Sequence, residues 1–326
     1  MRIAVTGSIA TDHLMTFPGR FTDQFLADRL ENVSLSFLAD GLEIRRGGVA
    51  ANICYGLGLL GLQPVLVGAV GSDFEPYRLH LKDNGVDTDS VLVSESRHTA
   101  RFVCTTDRAQ NQIATFYAGA MAEARDICLR EVIERAGGLA MVLVSPDDPD
   151  AMLRHTHTCR ELGIPFAADP SQQLARLGRE EVRELVTGAR WLFTNEYESE
   201  LLRERSGWTA GEILRRTGGW ITTRGSAGAA LRRADGEQVD IDAVPVEAAV
   251  DPTGVGDAFR AGFLAATQWG LPERTAMELG SVLAATAIDY VGTQEYRLYP
   301  ESLIARARNS YGPGSAARLT CHLGRL

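Results

Sequence analysis

The chain has 326 residues, of which 45% are hydrophobic and 23% are charged, and this composition fits one large α/β domain with ample apolar area for a core. Its formal net charge of -9 argues against general binding to nucleic acid or to acidic membranes, although a nucleotide needs only a local anion site. The beginning of the chain does not look like a signal peptide, no apolar run reaches the roughly 18 residues of a membrane span, and the five cysteines are scattered. We therefore expect a reduced, cytoplasmic protein that does not bind membranes.

The first predicted strand covers residues 3–5 and ends before Gly7 and Ser8, and Asp12 follows it. Open α/β sheets place ligand groups just beyond the carboxyl ends of their strands. Asp12 could accept hydrogen bonds from adjacent sugar hydroxyls, or it could simply cap a turn, and the residues alone leave these two interpretations about even.

Two segments, residues 13–46 and 98–118, interrupt the alternation of strands and helices. We predict four short strands there, at residues 33–37, 41–45, 100–106 and 112–117. Such strands would form a small sheet that closes over a substrate as a lid and excludes water. Phe102 and Phe116 lie on it and could stack on a flat ring, although an aromatic side chain on a half-buried sheet is more often part of the core.

Two adjacent glycines, Gly47 and Gly48, precede a predicted helix that carries Asn52 near its beginning. The glycines allow a ligand to approach the backbone closely, and the amide of Asn52 can both donate and accept hydrogen bonds. Residues 56–61 match the dinucleotide-binding pattern G-x-G-x-x-G, but the match falls within or at the end of a helix and no acidic residue follows about 20 positions later. We interpret these glycines as places of close helix packing.

The chain contains a single lysine, Lys82. A P-loop needs a lysine after its glycine-rich turn, and a protein kinase needs one on a strand. Lys82 instead lies where a predicted helix ends and is capped. Both of these kinase classes are therefore excluded.

Further short apolar strands alternate with helices and predict repeated βα units; the strands are at residues 64–70, 140–144, 165–169 and 191–194. Asp169 lies at the carboxyl end of the third of these strands, and Asn195 and Glu198 follow the fourth. Oxygen atoms of Asn195 and Glu198 could hold Mg²⁺ through water molecules. The same spacing fits a helix cap with a capping box, which spacing alone slightly favours.

A glycine-rich turn follows the strand near Trp220 and contains Thr223, Gly225 and Gly228. Such a turn could bind phosphates, but it is also common in ordinary loops. Residues 229–232 and 238–241 then predict a hairpin.

The strongest pattern is Asp251-Pro-Thr-Gly-Val-Gly-Asp257, after which apolar residues recur at helical spacing. A glycine-rich turn that opens a helix leaves N–H groups unpaired and favours phosphate. Asp257 would repel that phosphate unless it faces a hydroxyl group that attacks it, and the alternative is a plain glycine turn with an aspartate cap. At the start of a helix we expect a lowered pKa for Asp257, which would make it a weak base.

These candidates share a position at strand ends or helix starts of one sheet: Asp12, Gly48, Asn52, Asp169, Asn195, Thr223 and Asp257. Together they offer an acceptor for sugar hydroxyls, a metal site, two phosphate turns and a base beside an anion site. This combination predicts phosphoryl transfer from a nucleotide to a hydroxyl group.

Over essentially its whole length the chain resembles the ribokinase-like (PfkB) carbohydrate kinase family. The pattern of residues 251–257 carries the resemblance, with Val255 where the family usually has alanine, and residues 47–52 and 195–198 match two further family motifs. Residues 5–15, 33–38, 168–177 and 292–295 are similar, more narrowly, to actinobacterial adenosine kinases. The resemblance implies one domain of residues 1–326, a three-layer α/β/α sandwich with a mostly parallel central sheet and a small β-sheet lid.

The resemblance also implies an activity, the ATP-dependent phosphorylation of the 5′-hydroxyl of adenosine to give AMP and ADP. Asp257 would take the hydroxyl proton, and the backbone N–H groups of Gly254, Val255 and Gly256 would hold the transferring phosphoryl group. The nucleoside would be bound by Ser8, Asp12, Ser36, Gly48, Asn52, Phe102, Phe116, Gln172 and Gln173. Mg²⁺ and ATP would be bound by Asn195, Glu198 (through water), Thr223, Gly225 and Gly228. Asp251 and the turn at residues 292–295 would lie near a monovalent cation such as K⁺.

Other functions remain open. A kinase of another ribofuranosyl nucleoside or of a free sugar is the nearest, but a free sugar would give Phe102 and Phe116 nothing to stack on. A protein that binds a nucleoside without catalysis is a more remote alternative, because the chain contains Asp257 together with Gly254 and Gly256. The lid strands have exposed edges that a second copy could cover, so we expect a homodimer formed through the lid.

Overall fold

The computed structural model of the protein describes residues 1–25 and 35–326. In these residues the strands are β1 (Arg2–Thr6), β2 (Ala10–Phe17), β3 (Gly41–Gly47), β4 (Val65–Val67), β5 (Ala69–Val70), β6 (Leu92–Val93), β7 (Ala100–Asp107), β8 (Gln112–Tyr117), β9 (Leu139–Val144), β10 (Phe166–Ala168), β11 (Trp191–Asn195), β12 (Trp220–Thr223), β13 (Ala229–Arg232) and β14 (Gln238–Ile241). The α-helices are α1 (Val49–Leu59), α2 (Glu75–Asp83), α3 (Leu129–Arg135), α4 (Pro149–Leu162), α5 (Arg179–Val186), α6 (Glu196–Ser206), α7 (Ala210–Leu214), α8 (Val255–Gln268), α9 (Glu273–Ala287), α10 (Pro300–Tyr311) and α11 (Pro313–Leu323).

In the described part of the chain, eight strands form the central sheet, in the order β14-β13-β12-β11-β10-β9-β1-β4. Six neighbouring strands of this sheet pair in parallel, namely β12, β11, β10, β9, β1 and β4. β13 and β14 add the predicted antiparallel hairpin at one edge. Because parallel strands end at the same edge of a sheet, the residues that follow them gather there. This topology therefore brings together residues that are far apart in the sequence.

Alternate residues of the central strands face opposite layers of helices. In β1, Ile3 and Val5 belong to a core that includes α1, α8 and α9, whereas Ala4 belongs to a second core that includes α3 to α6. A strand buried on both faces needs a nearly continuous apolar run, which is the pattern that predicted these strands. The two cores on either side of one mostly parallel sheet confirm the predicted α/β/α sandwich.

A smaller sheet, here called the lid sheet, contains four strands of the described residues in the order β3-β2-β7-β8. β2 pairs antiparallel with β3 and parallel with β7, and β7 pairs antiparallel with β8. The register places Phe102 of β7 between Asp12 of β2 and Phe116 of β8. Residues predicted separately as a ligand acceptor and as lid aromatics are therefore neighbours on one sheet.

One prediction for this sheet is wrong. β3 pairs with β2, not with a strand at residues 33–37, and β2 itself was not predicted. Residues 33 and 34 lie outside the described residues, and residues 35–37 belong to no strand. Phe37 instead packs with Phe17 and Phe21, with ring centroids 5.1 and 4.9 Å apart. β2 could not be predicted because it is only partly buried and, with Thr11, Asp12 and His13, lacks an apolar run.

Two predictions made for helices are confirmed. A Cβ atom on Gly56 would lie 2.7 Å from the Cβ of Ala261, so this glycine permits the close packing of α1 on α8. Lys82 lies in the last turn of α2, with its ammonium group 3.4 Å from Asp89.

In the two described ranges, no helix is both long enough and apolar enough to cross a membrane.

Candidate active site

Two cavities lie side by side at the carboxyl edge of the central sheet, and their walls share Val49, Gly254 and Asp257. One cavity, here called the lid cavity, has a volume of about 540 Å³ and is bounded by the lid sheet. The other, here called the outer cavity, has a volume of about 920 Å³ and is bounded by the turn after β12 and by α8 and α9. Both volumes lie in the range of small-molecule sites.

Eight of the nine residues predicted to bind the nucleoside line the lid cavity. They are Ser8, Asp12, Gly48, Asn52, Phe102, Phe116, Gln172 and Gln173. The ninth, Ser36, is exposed in the irregular segment before β3 and lies outside the described wall of this cavity. The three-dimensional structure thus assembles one concave surface from the ends of β1, β3 and β10 and from the lid.

Gly48 shapes the entry to α1. It has a φ of +93°, and a Cβ atom there would lie 2.6 Å from the nitrogen of Ala10 and from the oxygen of Ser8. Only glycine tolerates that backbone conformation and that close approach together. The hydroxyl oxygen of Ser8 accepts a hydrogen bond of 3.0 Å from the Val49 N–H at the start of α1. This tight turn places Asn52 on the cavity wall.

Asp12 lies in the middle of β2, opposite Arg45 of β3. Burial raises its pKa to about 6, and Arg45 lowers it only in part. A carboxylate at this position can accept hydrogen bonds from two adjacent hydroxyl groups.

Gln173 lies in a short 3-10 helix after β10 and is buried. Its amide nitrogen donates a hydrogen bond of 2.6 Å to the carbonyl oxygen of Asp147. Its amide oxygen has no partner among the described residues, although buried polar atoms are normally paired. The described wall of the lid cavity therefore holds a buried acceptor without a partner, and that oxygen is almost fully covered.

Asp257 lies in the first turn of α8, at the boundary between the two cavities. Gly254 caps this helix with a φ of +74°, and a Cβ atom there would lie 2.9 Å from the side chain of Thr293. Within residues 1–25 and 35–326, the backbone N–H groups of Gly256 and Asp257 have no acceptor. The N–H of Val255, which was also predicted to hold the phosphoryl group, instead donates to the carbonyl oxygen of Pro252 at 3.4 Å. This helix start is built to bind an anion beside a carboxylate.

The expected lowering of the Asp257 pKa is wrong. Burial is the largest influence and raises the pKa to about 7, although Arg260 and a hydrogen bond from Asn52 lower it. Asp169 and Glu198 raise it further. A helix start stabilises a charge by about 0.3–1 kcal/mol, which is less than burial can cost. Asp257 is therefore a stronger base than the sequence predicted.

The outer cavity contains the five residues predicted to bind Mg²⁺ and ATP, namely Asn195, Glu198, Thr223, Gly225 and Gly228. Asn195 and Glu198 form the capping box that was the alternative, with two hydrogen bonds of 2.8 Å. The hydroxyl of Ser171 also donates to Glu198, at 3.1 Å. Each oxygen of the Glu198 carboxylate keeps a free lone pair. Asn195 and Glu198 can therefore cap α6 and also contact a hydrated Mg²⁺ ion. Among the described residues, no three His, Cys, Asp or Glu side chains form a metal-binding group.

The rest of the outer cavity is largely aliphatic. Its wall contains Ala243, Val244, Pro245, Val246, Ala249, Ala284, Ala285 and Ile288. An apolar wall next to an anion site suits a flat ring joined to phosphates.

The sequence matches a known protein family over most of its length. The family model of the pfkB family carbohydrate kinases matches residues 7–298. The chain belongs to the pfkB carbohydrate kinase family.

Relatives of this pfkB kinase agree with the match. A nucleoside kinase of Methanothermobacter thermautotrophicus is 32% identical over 251 residues, which cover 76% of this chain and 80% of that protein. The structure of a Burkholderia thailandensis nucleoside kinase in complex with inosine has a TM-score of 0.82 and 35% identity, and the similarity covers 95% of this chain and 98% of that one. A structure of the same enzyme in complex with ADP-inosine has a TM-score of 0.81 and covers 95% and 96% of the two chains.

Asp251 lies outside both cavity walls of this pfkB kinase. Its carboxylate oxygens accept hydrogen bonds of 2.9 Å from the N–H groups of Thr253 and Gly292, and Arg45 lies 3.6 Å away. Burial opposes ionisation, but these hydrogen bonds and Arg45 outweigh it and lower the pKa of Asp251. A monovalent cation beside Asp251 stays a prediction.

The sequence reasoning missed several residues of the site. Arg176 lines the lid cavity and has no ion-pair partner in the described ranges. Arg260, one turn after Asp257, forms a buried ion pair with Asp169. An arginine among the apolar residues that follow Asp257 was a signal that could have revealed this pair. Thr293 and Gln294 lie in the turn at residues 292–295 that was predicted near a cation, but their contact with Asn52 could not be found because it spans more than 240 residues.

Proposed function

We propose that this kinase transfers the γ-phosphoryl group of ATP to the 5′-hydroxyl of adenosine and forms AMP and ADP. One observation carries the proposal. Asp257 is one of three residues shared by the described walls of the two cavities, and the unpaired N–H groups of Gly256 and Asp257 lie there at the start of α8. A hydroxyl in one cavity and a phosphate in the other would meet at that point.

The nucleoside would occupy the lid cavity. Asp12 would accept hydrogen bonds from the ribose hydroxyls, and the base would stack on Phe102 and Phe116. This arrangement directs the 5′-hydroxyl toward Asp257. The 5′-oxygen forms a bond to the γ-phosphorus, the bond from that phosphorus to the β,γ-bridging oxygen breaks, and Asp257 takes the hydroxyl proton.

The nucleotide would occupy the outer cavity, with its base on the aliphatic wall and its phosphates at the start of α8. The N–H groups of Gly256 and Asp257 are fixed before the reaction and stabilise charge as it develops on the transferring group. A Mg²⁺ ion held through water near Glu198, when bound, would neutralise phosphate charge.

Two observations support a purine nucleoside as the substrate. The nucleoside kinase relatives, one of them with bound inosine, favour this class over a free sugar. The exposed amide of Gln172 on the lid cavity wall suits adenine, because its oxygen can accept a hydrogen bond from the 6-amino group.

A 6-oxopurine nucleoside such as inosine is the second candidate. The guanidinium of Arg176 lines the same cavity and would donate to a 6-oxo group. Adenosine and inosine therefore differ in which of two wall residues they satisfy.

A substrate panel tests the proposal. ADP release is measured with ATP, Mg²⁺ and, in separate reactions, adenosine, inosine, cytidine and ribose. We expect adenosine to give the highest kcat/KM and ribose to be at least about 100-fold poorer, because losing the stacked base costs several kcal/mol. A preference for ribose would contradict a nucleoside kinase, a preference for inosine would select the second candidate, and tight binding without ADP release would exclude catalysis.

We also propose a homodimer formed through the lid sheet. The edge strand β3 exposes Leu42 and Ile44 at 59% and 61%, and the other edge strand, β8, is exposed along its whole length. Exposed apolar edge strands favour pairing with a second copy. The molecular mass at micromolar concentration should be that of a dimer and should fall to that of a monomer in Ile44→Asp. A monomeric wild-type protein would contradict the proposal.

A further inference from the structure

A chain of buried hydrogen bonds connects the end of β3 with Asp257. The carbonyl oxygen of Gly47 accepts from the Tyr77 hydroxyl at 2.9 Å, and the Tyr77 oxygen accepts from the amide nitrogen of Gln294 at 2.5 Å. The same nitrogen donates to the amide oxygen of Asn52 at 2.8 Å, and the amide nitrogen of Asn52 donates to Asp257 at 2.8 Å. All three linking side chains are at most 5% exposed.

The direction of this chain follows from its first member. A backbone carbonyl only accepts, so the single proton of Tyr77 points to Gly47 and the Tyr77 oxygen must accept from Gln294. The second N–H of Gln294 then points to the amide oxygen of Asn52. As a result the nitrogen of Asn52, and not its oxygen, faces the carboxylate of Asp257.

The hydroxyl of Thr293 does not by itself fix this orientation. It has one proton and two acceptors at 2.9 Å, the amide oxygen of Asn52 and the carbonyl oxygen of Arg46. If the Asn52 amide were reversed, its oxygen would face the carboxylate of Asp257, and its nitrogen would face the N–H groups of Gln294. The acceptor on one side, Asp257, and the donor on the other, Gln294, therefore both disfavour the reversed amide.

We propose that Gln294 and Tyr77 are positioning residues for the base, because they fix the orientation of the Asn52 amide and so maintain its hydrogen bond to the ionised carboxylate of Asp257. Neither residue lines either cavity, so both act through Asn52. The inference rests on the proposed function, in which Asp257 accepts the hydroxyl proton.

The other charged groups around Asp257 make this hydrogen bond important. Asp169, which follows β10, and Glu198 of α6 disfavour the carboxylate, as does burial, whereas Arg260 of α8 favours it. Asn52 of α1 supplies the one hydrogen bond from a side chain to Asp257 in the described part of the chain. Loss of that bond would leave Arg260 alone to oppose the three unfavourable influences.

The test compares the pH dependence of kcat/KM in three variants. Gln294→Leu and Tyr77→Phe interrupt the chain, whereas Tyr55→Phe removes another buried hydroxyl, one that donates to the backbone oxygen of Tyr296 at 2.9 Å. A hydrogen bond to a charged group is typically worth enough to shift a pKa by about one unit. We expect the acidic limb to move to higher pH by about one unit in Gln294→Leu, by less in Tyr77→Phe, and not at all in Tyr55→Phe.

A second measurement does not depend on turnover. The carbon-13 signal of the Asp257 carboxyl group, identified by its loss in Asp257→Asn, should titrate at higher pH in Gln294→Leu than in the wild-type protein. In an Asn52→Ala background, Gln294→Leu should cause no further shift, because the group through which it acts is gone. Tyr77→Phe removes a single oxygen atom, and its Asp257 titration replaces that of Gln294→Leu if the latter variant does not fold.

Two results would overturn the inference. One is an unchanged titration of Asp257 in both Gln294→Leu and Tyr77→Phe. The other is a shift from Gln294→Leu that persists in the Asn52→Ala background. Failure of the proposed function looks different, because the wild-type protein would then release no ADP with any nucleoside, or the acidic limb would survive in Asp257→Asn.

Discussion

Arg260 and Asp169 form a buried ion pair beneath the candidate active site. The Nη2 atom of Arg260 donates to Oδ1 of Asp169 at 2.6 Å, and Nε lies 2.6 Å from Oδ2, in contact but without the alignment of a hydrogen bond. The two residues are 7% and 1% exposed. The pair joins α8 to the loop after β10, and so it connects the anion site to the central sheet.

Removal of one partner should destabilise the fold strongly. We expect Asp169→Ala to lower the free energy of unfolding by about 3–5 kcal/mol, because the guanidinium of Arg260 stays buried without its partner. The double variant Asp169→Ala, Arg260→Leu should recover much of that loss, since the buried guanidinium is gone and Asp257, whose pKa Arg260 lowers, can stay protonated. Urea unfolding measures both, and a double variant no more stable than the single one would contradict the explanation.

Asp257→Asn tests the base. We expect turnover at least about 100-fold below the wild-type value, with nucleoside binding nearly unchanged, because the amide cannot accept the hydroxyl proton. Steady-state kinetics and calorimetric titration with adenosine separate the two effects. Asp235→Asn, an exposed substitution of the same kind in the β13–β14 hairpin, serves as the control and should behave as wild type. Turnover near the wild-type value in Asp257→Asn would reject the role.

The pH dependence of the wild-type enzyme follows from the same residue. Burial raises the pKa of Asp257 to about 7, and only the ionised carboxylate accepts a proton. We therefore expect kcat/KM to fall about tenfold per pH unit below pH 7 and to level off above it. A profile that stays flat down to pH 5 would show that ionisation of Asp257 does not limit the reaction.

The raised pKa also predicts a cost in stability at alkaline pH. A carboxyl group that titrates at about 7 in the fold and at its ordinary value of 3.8 in the unfolded chain stabilises the fold when protonated, and this contribution is lost as the pH rises through 7. Asp257→Asn carries no charge, so at pH 8 we expect it to be more stable than wild type by on the order of 1–2 kcal/mol, since the largely buried carboxylate keeps only part of its hydration. Urea unfolding at pH 8 and pH 5 should show a smaller difference at pH 5, and an equal difference at both would contradict the linkage.

Asp12→Asn tests the recognition of ribose. The amide offers a weaker acceptor than the carboxylate, and a hydrogen bond to a charged group contributes about 1.5–3 kcal/mol, so we expect the KM for the nucleoside to rise roughly 10–100-fold. The KM for ATP should stay the same, because Asp12 lines the lid cavity and does not line the outer cavity. An equal rise in both KM values would indicate a general disturbance of the fold.

The central sheet could be predicted because its strands are buried on both faces and read as apolar runs bounded by turns. The glycine-rich start of α8 could be predicted for a similar reason, since its local sequence alone determines its backbone. β2 could not, because its cavity face carries Asp12 and its opposite face carries Thr11 and His13, so neither face reads as apolar there.

The electrostatic environment of Asp257 was beyond reach of the sequence for another reason. The local pattern shows a helix start, which lowers a carboxyl pKa, but it does not show that Asp169 and Glu198 converge on the same place from other parts of the chain. The orientation of Asn52 likewise depends on Gln294, which lies 242 positions away in the chain. Contacts of this kind require the three-dimensional structure.

The shared wall of the two cavities has a consequence for inhibitor design. A single molecule with adenosine at each end, joined through their 5′-oxygens by a chain of phosphates, would enter both cavities at once and would pass the unpaired N–H groups of Gly256 and Asp257. Such a bisubstrate ligand loses its translational freedom only once, so it should bind more tightly than either half and should compete with nucleoside and ATP alike.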